Sequence, residues 1–96
     1  MDLLFIISTP EAKPVLLPMA AACRRKGLEW GYFFTNDGVK VLGDQEVVDA
    51  VHIAEHAVVC EHSWARFMGE ADCPITLGSQ TQNSVMVGTA DHIVSL

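Results

Sequence analysis

The sequence predicts an α/β fold: a single domain of about five mainly parallel strands with helices on both faces. Three observations carry this. Strand-like apolar runs alternate with helical patterns along the whole chain, the arrangement of a parallel sheet joined by right-handed crossovers. The first run, Leu3–Ile7, is continuously apolar, as a strand covered on both faces has to be. Ninety-six residues with no linker, repeat or low-complexity tract suffice for one hydrophobic core but not for two. The expected domain is therefore 1–96.

Each element has its own signal. Ser8, Thr9 and Pro10 end the first strand. From 15 to 26, Val15, Leu16, Met19, Ala22 and Cys23 recur at helical spacing, Pro14 suits a first turn, and Gly27 ends the segment. Pro18 either kinks this helix or delays its start. "LEWGYFFT" (28–35) is the second strand, rich in aromatics, with Gly31 as its weak point. "NDG" at Asn36–Gly38 is a turn, because these residues tolerate left-handed backbone. A short helical piece around Val39–Leu42 precedes a helix through Gln45–Ala54, capped by Asp44 and buried through Val47, Val48 and Val51. Ala57–Cys60 is the third strand, and Ser63 is the expected cap of "WARFMG", which Gly69 closes. Pro74–Leu77 is the fourth strand and Gly78–Asn83 a polar loop. Ser84 caps a last helix through Val87, and "HIVSL" is the final strand. Leu3–Ile7 is placed centrally, Ile93–Leu96 at or near an edge.

Composition narrows the function. A formal charge of −6 argues against a nucleic-acid binder, which needs clustered Lys and Arg on its contact face. Only "CRRK" at Cys23–Lys26 is locally basic, and it reads as the cationic last turn of a helix. No segment reaches the ~18 apolar residues of a membrane span. "LLFII" has no basic region before it and is too short for a leader core, so the expected location is cytoplasmic. Three cysteines are an odd number, which fits reduced thiols and not a complete disulfide framework. There is no glycine-rich phosphate loop and no dinucleotide fingerprint. Half of this short chain is hydrophobic (50%), which points to some apolar surface lying in a subunit interface.

In parallel sheets, sites form beyond the carboxyl ends of the strands. Ser8–Lys13, Thr35–Gly38 and Cys60–Ser63 should converge there. Cys60 closes a strand just ahead of a helix N-terminus, whose free N–H groups and partial positive charge favour a thiolate. A protonated His62 would add to that field, and Glu61 would oppose it. The position thus predicts a partly accessible thiol of low pKa. A second reading makes Cys60 a buried small hydrophobe. A third enlists His56, Cys60 and His62, with Cys73 or His52, as soft-metal ligands, although paired Cys-x-x-Cys spacing is missing and His56 would open the strand that Cys60 closes. Cys23 lies on the apolar helical face and reads as core. Cys73 precedes Pro74 at a strand entrance, on the opposite edge from Cys60. Trp64 and Phe67 read as core or interface anchors.

Three pieces together resemble the DsrE/DsrF-like (TusD-type) sulfur-relay family. They are "LLFIIST" followed by the alanine-rich helix ending in "RRKG", then "YFFTNDGVKVL", then "VVCEHSWARFMG". The closing "TADHIVSL" is similar to that family's terminal strand, so the resemblance spans almost the entire chain. It implies a compact flavodoxin-like fold assembled as a trimer or hexamer, or with related subunits. It also implies that Cys60 accepts sulfur as a persulfide from a donor protein and passes it to an acceptor thiol, with His62 beside it. Such chemistry needs no bound cofactor. The alternatives are a non-catalytic assembly subunit of the same fold and a soft-metal module.

Overall fold

The computed structural model describes all 96 residues. One sheet of five strands runs through it in the order β4-β3-β2-β1-β5, and every neighbouring pair is parallel. The strands are β1 (Leu3–Ile7), β2 (Trp30–Phe34), β3 (His56–Cys60), β4 (Thr76–Gly78) and β5 (His92–Ser95). The helices are α1 (Lys13–Lys26), α2 (Gln45–His52), α3 (Glu61–Met68) and α4 (Gln80–Thr89), with a 3-10 helix at Asn36–Gly43. The alternating α/β fold is the one the sequence predicts. β1 is interior, between β2 and β5, while the middle strand is the aromatic β2, and β5 forms an edge.

All five residues of β2 are buried, because helices cover both of its faces. On one face Phe5, Tyr32 and Phe34 stack side by side, with ring centroids 5.4 and 5.6 Å apart. Val59 joins them, and α1, the 3-10 helix, α2 and α3 close over this layer through Leu16, Leu42, Val47 and Trp64. The opposite face carries Leu4, Phe33, Val58 and Cys60, covered by Met86 and Val87 of α4 and by Ala90 just beyond it. The even and odd positions of each strand thus divide between a thick layer and a thin one.

Several boundaries differ from expectation, each for a local reason. α1 starts at Lys13 and accommodates Pro18 inside, four residues after Pro14. Its buried stripe is Leu16, Ala20 and Cys23; Val15 is exposed. Gly27 ends α1 at φ 67°, a left-handed position that suits glycine. Asp44 caps α2 as expected, its side chain accepting the Glu46 N–H. Ser63 does not cap α3: the helix begins at Glu61, with Cys60 in the cap position. The last helix is not capped by Ser84 either. Ser79 caps α4 in a reciprocal box with Gln82, a four-residue Ser-x-x-Gln signature that lies inside the stretch read as polar loop.

Tyr32 is the chain's one tyrosine, and its hydroxyl accepts a hydrogen bond from Trp30 Nε1 at 3.1 Å. Burial pushes its pKa up to about 12, only partly countered by the Trp30 donor. The raised value means that stability is intact below the ordinary 10.0 and falls as pH rises through about 12. Phenolate absorbance is therefore expected to titrate late in the folded protein and to return to the ordinary value in urea. Replacing Tyr32 with Phe should cost about 1–2 kcal/mol in urea unfolding, because the Trp30 N–H is left buried without a partner.

Candidate functional site

The carboxyl ends of β1, β2 and β3 meet as expected, and they are tied by one main-chain bond and one bond from the main chain to a side chain. The Thr35 N–H donates to the Ile7 carbonyl at 2.9 Å. The Asn36 N–H donates to Ser63 Oγ, also at 2.9 Å. Asn36 has φ 52° and is the single non-glycine residue in the left-handed region, a conformation asparagine tolerates better than most. Gly38 packs so closely on β1 that an added Cβ would strike the Ile7 carbonyl oxygen. The Ser8 loop is closed differently: its N–H and hydroxyl both donate to the Leu96 carbonyl, at 2.8 and 3.1 Å. Its donors are thus already used.

Cys60 is the last residue of β3 and stands in the cap position of α3. It is 4% exposed, so the expectation of a partly accessible thiol is corrected. The reason is the register. Cys60 pairs with Gly78 on the sheet face that α4 covers, and the start of α4 brings Gln80 over it. Cys60 makes no conventional capping hydrogen bond to the helix. Burial raises its pKa, but the Ser63 hydroxyl and N–H, the Gln80 amide and the His62 N–H together outweigh it and hold the thiol below its ordinary value. The net effect is an inaccessible thiol with a stabilised anion.

His62 lies on the exposed side of α3, as does Glu61. His62 acts on the thiol through its backbone N–H, which any residue at that position would supply. The two residues that supply side-chain donors, Ser63 and Gln80, were both missed in this role. For Gln80 the available signal was the Ser79-x-x-Gln82 box, which starts a helix directly after β4. For Ser63 no local pattern distinguishes a cap from a third-position serine facing its own helix N-terminus.

The other thiols differ in kind. Cys23 is 2% exposed in the core, and burial pushes its pKa up. Cys73 is half-buried ahead of β4, where burial again raises its pKa against a weaker opposing Ile75 N–H. His56 opens β3 and Cys60 closes it, so those two candidate ligands stand at opposite edges. No three His, Cys, Asp or Glu side chains gather into a metal-binding set. Trp64 is buried, its Nε1 donating to the Ala71 carbonyl at 2.7 Å, which makes it an anchor of the loop after α3. Phe67 is half-buried, with Lys40 and Arg66 against its ring.

Ser63→Ala should raise the Cys60 pKa and also leave the Asn36 N–H without its acceptor. The expected cost is about 1 kcal/mol in urea unfolding, with the pH midpoint of Cys60 alkylation displaced upward. An unchanged midpoint would show that Ser63 only anchors the loop.

Fold and site together define a parallel α/β protein with one buried thiol, held below its ordinary pKa, at the carboxyl edge of its sheet. No helix is long and apolar enough to cross a membrane. The chain matches no protein-family model and no curated protein sequence.

Proposed function

We propose that the protein is a sulfur carrier of the sulfurtransferase type, with Cys60 as the persulfide-bearing residue. The observation that carries the reading is the thiol itself. It lies at a strand end against a helix N-terminus, and donors from Ser63, Gln80 and His62 favour its anion despite burial. The resemblance to the DsrE/DsrF-like family supports the same residue. In the first step the Cys60 thiolate attacks the outer sulfur of a donor persulfide. A Cys60 S–S bond forms, the donor S–S bond breaks, and the donor leaves as a thiolate. In the second, an acceptor thiolate attacks the outer sulfur, and Cys60 leaves as thiolate. One sulfur moves with no net oxidation and no cofactor. Donor and acceptor are proteins that carry thiols, and the carrier works in the cytoplasm as a homo-oligomer or beside related subunits.

Burial implies a gate. Gln80 and the first turn of α4 cover the sulfur, and α4 has no fully buried residue of its own, so displacing it costs less than opening the opposite layer. The test is mass analysis after incubation with a persulfide donor: a gain of one sulfur on Cys60, removed by an acceptor thiol, is the expected result. The burial also favours a second reading, an assembly subunit in which Cys60 only packs. A chain that takes up no sulfur under these conditions would leave that reading in place.

A further inference from the structure

At the opposite end of the sheet, a groove of about 430 Å³ lies between α1, α2 and the start of β2. Leu17, Ala20, Ala21, Trp30, Ala50 and Ile53 line it, and Arg24 and Arg25 complete the lining. Three alanines leave the space open where longer side chains would fill it. Ile53 is 47% exposed at its mouth. The arginines are unusual in this chain. It has twice as many acidic as basic residues, 12 against 6, yet neither arginine forms an ion pair; those of this structure belong to Lys13 and the amino terminus. The dipole of α1 explains why its last turn is cationic. It does not explain why two guanidinium groups stand unpaired at an apolar groove.

We propose that this groove binds a free amphiphilic organic anion, with an apolar body between α1 and α2 and a carboxylate-type head held by Arg24 and Arg25. The volume is that of a small-molecule site. The lining is apolar with charge confined to the α1 C-terminal end, so it complements a ligand with one anionic terminus. Guanidinium groups suit such heads because they donate paired, coplanar N–H bonds. The site is independent of Cys60, which lies at the other edge of the sheet, and it stands or falls separately from the sulfur reading.

Trp30 provides a direct reporter. The protein has two tryptophans, so two indole N–H signals are expected in a ¹⁵N NMR spectrum. Titration with decanoate below its micelle threshold should shift the Trp30 signal in a saturable way and leave Trp64 in place. Substituting both Arg24→Gln and Arg25→Gln, at exposed positions, should weaken decanoate by at least about tenfold while leaving decanol binding unchanged. The alternative outcomes all overturn the proposal. Equal binding of decylammonium would show adsorption without charge selection, and a shift at Trp64 instead of Trp30 would put the ligand elsewhere. No saturable shift would leave the groove empty of ligand. Binding to anionic phosphatidylglycerol vesicles without binding to decanoate would make the groove part of a membrane contact.

Discussion

Replacing Cys60 with Ser is expected to abolish persulfide loading while the fold persists. Ser63, Gln80 and the His62 N–H can hydrogen-bond a hydroxyl as readily as they polarise a thiol, so the change in urea-unfolding stability should stay near about 1 kcal/mol. In the unsubstituted protein, provided α4 opens over the buried sulfur, limiting alkylating reagent should label Cys60 ahead of Cys23 and Cys73, because hydrogen-bond donors hold its pKa below the ordinary value while the other two lie above it. The rate should climb with pH to a midpoint below that of an ordinary thiol. The linkage has a definite sign. A depressed folded pKa adds stability above the unfolded thiol pKa, and that contribution is lost as pH falls through the folded value. If Cys60 reacts only on global unfolding, the gate at α4 does not open and the assembly-subunit reading replaces sulfur transfer.

Gly38→Ala should have the largest effect on stability of any single small substitution at the site edge. The added Cβ would meet the Ile7 carbonyl oxygen, the Ile7 carbonyl carbon at 2.8 Å and the Ser8 carbonyl carbon at 2.9 Å. These are backbone atoms of an interior strand and of the residue that follows it, with no flexible side chain to yield. The clash must be relieved by moving the 3-10 helix off β1, at a cost of about 3 kcal/mol. The Thr35–Ile7 and Asn36–Ser63 bonds lie on the same segment. Loss of the second should free Ser63 and raise the Cys60 pKa, so urea unfolding and alkylation midpoint should change together. A stable variant with an unaltered midpoint would show that the loop repacks without reference to the site.

Much of this was legible from residue order. A continuous apolar run as short as Leu3–Ile7, ended by Ser8, Thr9 and Pro10, reads as a strand covered twice, and helices between such runs leave the parallel sheet as the economical arrangement. The Cys60 position at a strand end followed from the same reasoning. Asp44 as a cap and Gly27 as a helix stop are decisions made within a few residues, where local hydrogen bonding dominates. The misplaced caps show the limit of that locality: Ser63 and Ser84 look like caps, yet Ser63 is held by Asn36 from another strand end, and Ser79 preempts Ser84 through its box with Gln82.

What the sequence determined by itself was the alternation of elements, the strand that Cys60 ends and the core role of Cys23. Those follow from periodicity and from nearest neighbours along the chain. Only the tertiary structure decided that Cys60 is buried, that α4 lies over it, and that Gln80 and Ser63 stabilise its anion. The physical reason is the pleat. A shift of one residue in strand register moves a side chain to the other face, and the face given to Cys60 depends on how β3 pairs with β2 on one side and with β4 on the other, where its partner Gly78 lies eighteen residues further along the chain.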